Sequence, residues 1–486
     1  MTQARRIKRL PGNPLDPGRE VQIRFEGKTL TGFEGETLAC ALLAHGIRVF
    51  GRSIKYHRPR SPFCLRGHCS SCLMRVDGIP NERTCQIRCR EGMKVERQLG
   101  WPHANLDVLR TVDWFTPSTL DHHGMFTASE AVNRLGNHFV RQLAGYGAPP
   151  EIVPPAPCPF NTLRADVTVI GGGVAGLAVA RGLSDKGLEV VLLEADSRLG
   201  GRLLDASIVG LGPDGQEISG WSLLSDRPES SLGKSIRILK DTPALVIYPG
   251  ARIQVIASNE RETLAILSRR VVIATGANEQ LPLFENNDLA GIFGPRALDR
   301  LVCGHGVLPA EPVVLVGHSP RLLRLARLFH EQGVRLSGVV SQRREGPEVE
   351  QLKAHGIPLF HDRTLAGARG GKWINRLEFT TGQQMDLVLD GHLCAVEGPE
   401  APCYELAHHA GCRVKFCSET GFEIVADEEG RTSHGQILAA GHCRGARDID
   451  EAQRQGEKAA AACLASLHTE GTDSPAPRES TQPLRS

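Results

Sequence analysis

Residues 166 to 196 read DVTVIGGGVAGLAVARGLSDKGLEVVLLEAD, and few stretches leave a chain so little choice of fold. An apolar run enters Gly171-x-Gly173-x-x-Gly176, a helical pattern follows, and a second apolar run closes on Glu194. The first glycine permits a tight turn, the second lets backbone approach a pyrophosphate, and the third lets a helix pack on its strand. The helix N-terminus, with Val174 and Ala175 as its opening residues, supplies partial positive charge for phosphates. Glu194, about 20 residues on, is placed to bind ribose hydroxyls. Strand before, helix after and acid beyond the next strand predict a dinucleotide-binding βαβ unit rather than a glycine-rich turn without a ligand.

Three later stretches extend this unit. ADSRLGGRL, beginning at Ala195 and carrying Arg198, Gly201 and Arg202, resembles the turn that closes over dinucleotide phosphates in flavoproteins of the disulfide-reductase kind. SRRVVIATGANEQLP, 268 to 282, is a strand ending in ATG and adds Thr275 and Gly276 to the candidate binding residues. GQILAAGHCRGARDIDEAQRQGEKAAAACLASL, from Gly435, resembles the strand and long helix that complete a flavin domain. There Gly441 is followed by His442, where flavin domains usually carry an Asp for the ribityl chain. The site is therefore read as FAD-binding, with NAD as the alternative occupant. A second strand–turn–helix–strand rhythm runs through PVVLVGHSPRLLRLARLFHEQGVRLSGVV, 312 to 340. Its turn is Gly317-His318-Ser319-Pro320, without the second and third glycines, so a pyrophosphate could not approach in the usual way.

The other constraint is a group of cysteines. CLRGHCSSC, 64 to 72, with Cys85 beyond it, gives Cys64-x4-Cys69-x2-Cys72-x12-Cys85. A [2Fe–2S] cluster of the plant type takes three thiolates from one tight loop in this spacing and a fourth from farther along. Gly67, Ser70 and Ser71 are small enough for the backbone to fold over the cluster and aim N–H groups at sulfur. Structural zinc also takes four thiolates but usually presents two C-x2-C knuckles, and only one occurs here. The spacing favours iron–sulfur. Cys89 reads as a spare thiol and Cys40 as a core residue.

Before the cysteines, Val21, Ile23 and Phe25 alternate into an EGK turn and a second run to Phe33, a hairpin signal. GETLACALLAHG then reads as a helix with Gly46 at its C-cap. The segment from Trp101 to Tyr146 is weakly helical, and 145 to 165, with six prolines, reads as a linker. The expected organisation is a ferredoxin-like α+β domain over 18–98, then a helical segment and Pro-rich linker over 99–160. An α/β dinucleotide-binding domain over 165–295 and 420–466 follows, interrupted by a second, degenerate nucleotide-binding-like domain over 296–419. A disordered tail is expected over 468–486.

A formal net charge of +2 gives no global field for nucleic acid or an acidic membrane, so neither is an expected partner. No stretch approaches the roughly 20 apolar residues of a membrane helix. RRIKR at 5 to 9 lacks an apolar h-region after it and reads as a solvated tail rather than a targeting signal. Fourteen cysteines without a signal peptide suggest a reducing, cytoplasmic setting. The histidine pairs His122–His123 and His408–His409 read as loop or surface residues, and no catalytic residue is assigned.

Two further stretches carry a family resemblance. GRSIKYHRPRSPFC, 51 to 64, is similar to GRSIKYHRPRG in alpha subunits of heterotetrameric sarcosine oxidase. ATGANEQLPLFENNDLAGIF, from Ala274, is similar to the family's ATGA-x-E…F-x-N-N-D-x-x-G-[IV]. The layout also resembles A subunits of opine oxidase and the hydrogen cyanide synthase and hydroxyproline dehydrogenase systems, over most of residues 18 to 466. The four cluster cysteines are a departure from sarcosine oxidase alpha subunits. The resemblance implies a disulfide-reductase-like body with two dinucleotide-binding domains behind a ferredoxin module. It implies an electron-transfer subunit of an amine or imino-acid dehydrogenase, acting on CH–NH donors of the sarcosine, opine, hydroxyproline or glycine kind. The substrate pocket would lie in a D-amino-acid-oxidase-like flavoprotein beta subunit, with FMN a candidate at the subunit interface. The competing expectation is a self-contained NAD(P)H:acceptor oxidoreductase using FAD and the cluster. A third is a scaffold whose dinucleotide is structural.

Overall fold

A computed structural model describes residues 4–7, 18–54, 56–111, 113, 129–134, 136, 158–205, 210–211, 217–220, 223 and 232–470. The chain divides into two compact units. One holds Met1–Pro155, Leu203–Leu223 and Glu279–Glu400; the other holds Ala156–Arg202, Leu224–Asn278 and Ala401–Ser486.

In the first unit the chain starts with β1 (Glu20–Phe25) and β2 (Lys28–Phe33). Val21, Ile23 and Phe25 point inward while their neighbours face solvent, as a half-buried strand requires. Glu26 and Gly27 both sit at positive φ (46° and 80°), the two-residue turn that matches strand twist in a hairpin. Helix α1 (Leu38–Ala44) is capped by Thr37, whose hydroxyl accepts from the Cys40 N–H at 3.4 Å. Gly46, at φ +74°, ends it: its N–H and that of Ile47 return to the carbonyls of Leu43 and Leu42. Every side chain from Leu38 to Leu43 is buried, each large one contributing roughly 1.5–3 kcal/mol relative to exposure. Strands β3 (Leu73–Val76), β4 (Ile79–Arg83) and β5 (Lys94–Glu96) complete a sheet of order β2-β1-β5-β3-β4, with β1 and β5 parallel. The cysteine loop thus leads directly into β3, and Cys85 follows the end of β4.

In the second unit β6 (Phe160–Ile170), α2 (Val174–Leu183) and β7 (Val190–Leu193) form the expected parallel βαβ unit. Strands β8 (Ile236–Leu239), β9 (Ala244–Tyr248), β10 (Ile253–Ser258) and β11 (Thr263–Ile273) extend it to the order β8-β7-β6-β11-β10-β9. Strand β12 (Ile437–Ala439) joins β11 in parallel, and α3 (Ile449–Glu470) returns across α2. Gly456 makes that helix pair close, since a Cβ there would overlap the Ala175 carbonyl.

The rest of the first unit is a second wound sheet, all parallel, in the order Ile292–Phe293, Leu393–Val396, Val313–Val316, Leu336–Val340, Leu359–Phe360. Helix Pro320–Glu331 connects its third and fourth strands, and an antiparallel sheet spans Thr364–Gly370, Ile374–Thr381 and Gln384–Asp390. One apolar core runs from Val21, Ile23 and Phe25 through Leu308 and Val313 to Val396, so the ferredoxin-like module and this sheet share an interior. The Arg48 guanidinium lies 5.3 Å over the Trp373 ring and donates to the Pro309 carbonyl at 2.9 Å.

One expectation changes. Arg5 and Arg6 are not a free tail: they pair antiparallel with Leu308 and Val307, and Arg6 binds the Glu36 carboxylate at 2.9 Å. Backbone pairing and a buried carboxylate outweigh the solvation of two arginines there. After Trp101 the described chain opens with a short ladder, Pro102–His103 with Leu106–Asp107, and a 3-10 turn at Val108–Arg110, and the weak helicity expected of this stretch is met at 111, 113, 130–134 and 136. His122, His123 and most of the Pro-rich linker lie outside the described residues, as do residues 471–486 of the expected tail. His468 belongs to α3. Among the described residues no helix is long and apolar enough to cross a membrane.

Candidate cofactor sites

The cysteine loop is wound by three residues at positive φ, Leu65 (50°), Gly67 (86°) and Ser70 (54°). Such a run turns successive N–H groups inward, as anion-binding loops do. The Arg66 N–H donates to the Cys64 sulfur at 3.3 Å. Gly67 sits at φ +86°, where a side chain is strained, and a Cβ there would lie 2.9 Å from Cδ of the flexible Gln86 side chain. Thr84, fully buried, donates its hydroxyl to the Cys72 carbonyl at 2.8 Å and ties the Cys85 strand to the loop.

Four thiols packed this closely do not ionise alike. A hydrogen bond from Cys69, then one from Cys85, holds Cys64 far below the ordinary thiol range, against burial. A hydrogen bond from Cys85 likewise lowers Cys72. Cys69 is pushed up by its hydrogen bond with Cys64, and Cys85 by its interaction with Cys64, then with Cys72. The four thiols thus influence one another, Cys64 with Cys69 and Cys85, and Cys72 with Cys85. Among the described residues no three His, Cys, Asp or Glu side chains are arranged to hold a single metal ion. Tetrahedral zinc needs four ligands on one point. A dinuclear cluster takes two sulfurs at each iron, and the Cys64-x4-Cys69-x2-Cys72-x12-Cys85 spacing is that of plant-type [2Fe–2S]. When bound, the cluster supplies one-electron chemistry, and the N–H groups around it raise its potential.

His68, inside the loop, was not singled out by spacing. Its Nε2 lies 3.3 Å from the Glu279 carbonyl oxygen, and its ring faces Cys64. Burial alone would lower its pKa, but the Cys64 thiolate and the Glu279 carbonyl raise it on balance. Cys89 and Cys40 are buried outside the four, and burial raises both thiols, Cys40 to about 12. All fourteen cysteines are free.

In the second unit the predicted residues gather at the C-terminal ends of β6, β7, β11 and β12, the edge at which open α/β sheets bind ligands. Gly171 has φ +106°, and a Cβ there would strike the Ala274 carbonyl. Gly173 caps α2 and faces open space, its nearest atom being the Gly201 Cα at 3.8 Å from a hypothetical Cβ. Gly176 packs so tightly that a Cβ would overlap the Gly171 carbonyl oxygen. Each glycine thus meets the separate demand that the motif makes of it, and the cradle fits a pyrophosphate over Val174 and Ala175. The 195–202 turn folds back onto it: Gly200 N–H donates to the Gly172 carbonyl at 2.8 Å, and Gly201 has φ +54°. Arg198 and Arg202 lie on this turn, both half-buried. The Glu194 carboxylate is buried and accepts from the N–H groups of Gly172 and Asp196, each at 2.7 Å, so it both braces the turn and stands at the second strand's end. Thr275 donates its hydroxyl to the Cys403 carbonyl at 2.8 Å, and Gly276 has φ +76°. Gly441, at φ +84°, donates its N–H to Gln455, and His442 is half-buried beside it. His409 makes a 3.2 Å contact to the Ile247 carbonyl and His408 is exposed, so neither stands with these residues.

The second wound sheet treats its turn differently. Ser319 caps helix Pro320–Glu331, but the N–H groups of His318 and Ser319 donate to the Glu397 carboxylate at 2.7 and 2.9 Å. A Cβ on Gly317 would lie 2.5 Å from Glu397 Cβ. An internal carboxylate holds the donors that a phosphate would use. Only the residue after the LCAV strand signals this in sequence.

Residues 18–100 match the family described as 2Fe-2S iron-sulfur cluster binding domain, and residues 165–462 match Pyridine nucleotide-disulphide oxidoreductase. The chain is 25% identical over 467 residues to sarcosine oxidase subunit alpha of Rhizobium meliloti (strain 1021), covering 90% of this chain and 46% of that protein. It therefore spans about half the length of that relative. It is 34% identical over 79 residues to hydrogen cyanide synthase subunit HcnA of Pseudomonas aeruginosa, covering 16% of this chain and 75% of that one. Among solved structures, L-proline dehydrogenase from P. horikoshii shares the fold at TM-score 0.66 and 23% identity, over 94% of this chain and 76% of that chain. The chain accordingly carries a 2Fe-2S module and an FAD/NAD(P)-binding module.

Proposed function

The chain belongs to the pyridine nucleotide-disulphide oxidoreductase family, and from that premise we propose that it is the electron-transfer subunit of a flavin-dependent amine or imino-acid dehydrogenase. Electrons taken from a CH–NH donor in a D-amino-acid-oxidase-like partner would pass through a dinucleotide cofactor held here and leave by way of the cluster. The substrate class follows the sarcosine, opine and glycine-like donors of the resemblance, and fourteen free thiols suit a cytoplasmic setting.

One observation carries the reading: four thiols in the plant-type spacing, on a loop wound by residues at positive φ, in the same chain as an open glycine cradle. FAD supplies two-electron chemistry when bound, and a one-electron centre is useful beside it where electrons must be handed on singly. This chain's residues have holding roles. Gly171, Gly173 and Gly176 clear space for the pyrophosphate, the N-terminus of α2 faces it, and Arg198 and Arg202 stand on the turn that closes over it. Denaturing the purified chain is expected to release FAD, with about two irons and two sulfides per chain. A chain without iron and labile sulfide overturns the relay.

Glu397 bears on the self-contained reductase. With its carboxylate on the His318 and Ser319 N–H groups, a nicotinamide dinucleotide would have to displace an internal anion to use that turn. NADH or NADPH added to the purified chain is accordingly expected to leave the flavin absorbance unchanged over minutes. Rapid bleaching without any partner would favour the reductase instead.

A further inference from the structure

His68 is the one histidine of the cysteine loop, and its two ring nitrogens are treated differently. Nε2 lies 3.3 Å from the carbonyl oxygen of Glu279, while Nδ1 is buried and finds no hydrogen-bond partner among the described residues. The ring interacts with Cys64, and Cys69 is the next residue in the chain. Leaving a buried nitrogen unpaired is costly, and a packing role alone does not explain it.

The Glu279 carbonyl that meets this ring is firmly held. The Glu279 carboxylate accepts from the N–H of the buried Arg296 at 3.0 Å, and a Cβ on Gly294 would lie 2.3 Å from its Oε2. Gln280 donates its N–H to the Pro399 carbonyl at 2.9 Å. That N–H and the Glu279 carbonyl belong to one planar peptide group, so anchoring the first fixes the direction of the second. Glu279 also stands three residues after Gly276, the end of the dinucleotide turn, and three residues of chain reach at most about 11 Å. From Gly276 to the cysteine loop there runs a continuous path of covalent bonds with one hydrogen bond in it. Electron tunnelling weakens exponentially with distance and crosses a hydrogen bond more readily than a gap between nonbonded atoms.

We propose that His68 is the positioning residue that joins the cluster electronically to the dinucleotide turn, through the carbonyl of Glu279. The inference rests on the relay reading. In each step one electron leaves the reduced flavin and one enters the oxidised cluster. The proton released by the flavin goes to water, and no bond to His68 forms or breaks. Two steps return the flavin to its oxidised form.

The test uses the assembled complex, mixed with an amine without oxygen and frozen at intervals for paramagnetic resonance, with flavin bleaching followed in parallel. His68→Leu is expected to slow the rise of the reduced-cluster signal about tenfold, a path being established by measured coupling and not by its place between two sites. Iron content, flavin content and the midpoint potential of the cluster should match the wild type. His68→Gln, whose amide still donates to the Glu279 carbonyl, should stay within about threefold of the wild type. Should His68→Leu lose its iron, His68→Phe, which keeps a ring without a donor, is read in its place. A wild-type rate in an iron-loaded variant overturns the proposal, as does a slowing that a shifted potential accounts for. Loss of iron from both variants makes His68 a structural clasp and overturns it too. A wild-type cluster that stays oxidised while the flavin bleaches overturns the relay reading and the proposal with it.

Discussion

Cys85→Ala is expected to leave the chain without its cluster: iron and labile sulfide fall by roughly an order of magnitude or more, and the visible absorption of the centre disappears. Cys85 supplies the fourth thiol of the spacing and interacts with both Cys64 and Cys72. Without it the chain would offer three of the four thiolates that the cluster would need, and no neighbouring cysteine can take its place. Cys89 is buried on the α1 side, where a Cβ on Gly32 would lie 3.3 Å from its sulfur. The cost to the fold is small by comparison, about 1 kcal/mol for a truncated buried thiol. Nucleotide content should stay as in the wild type, since the glycine cradle lies in the other compact unit. Cys89→Ala is the matched control and should keep its iron. Loss of iron from Cys89→Ala with retention in Cys85→Ala would reverse the ligand assignment.

Gly176→Val is expected to empty the dinucleotide cradle while sparing the cluster. A Cβ at this position overlaps the carbonyl oxygen of Gly171 and lies 3.5 Å from Ala274 Cβ. Gly171 cannot move aside: it sits at φ +106° and its N–H is held by the Leu193 carbonyl at 2.8 Å. The strain must go into the turn that approaches the phosphates. A fall of about 100-fold in nucleotide retention corresponds to roughly 2.7 kcal/mol, within the range for overpacking a tight site. Gly435→Ala, whose added Cβ meets nothing within 4 Å, should change stability by no more than about 0.5 kcal/mol. Nucleotide released on denaturation, measured per chain, separates the two outcomes.

These sites were legible to different depths, for physical reasons. The glycine turn could be read because each of Gly171, Gly173 and Gly176 answers a local demand that no other residue meets. The cysteines could be read because a two-iron cluster dictates spacing within one loop. His68 was hidden, since its contact with the Glu279 carbonyl joins residues 211 positions apart. Glu397 was hidden for the same reason: nothing near 317–320 announces that a carboxylate from a distant strand will fill the turn. The buried contacts of Arg52 and His57 with Asp107 were hidden as well, since Asp107 lies 50 residues from His57. The shared core of the ferredoxin-like module and the second wound sheet likewise has no local signal, because each apolar stripe looks complete in its own segment. Arg5 and Arg6 misled for the opposite reason: a short basic run looks solvated until its backbone finds an edge strand.

The central claim is that electrons from the partner's substrate reach the four cysteines of this chain. Its most direct test is low-temperature paramagnetic resonance on the assembled complex, frozen within seconds of adding an amine such as sarcosine, an opine, hydroxyproline or glycine without oxygen. The account predicts the signal of a reduced [2Fe–2S] centre, present in the wild type and missing from Cys85→Ala. A complex whose flavin bleaches fully while its iron stays loaded and silent would contradict it.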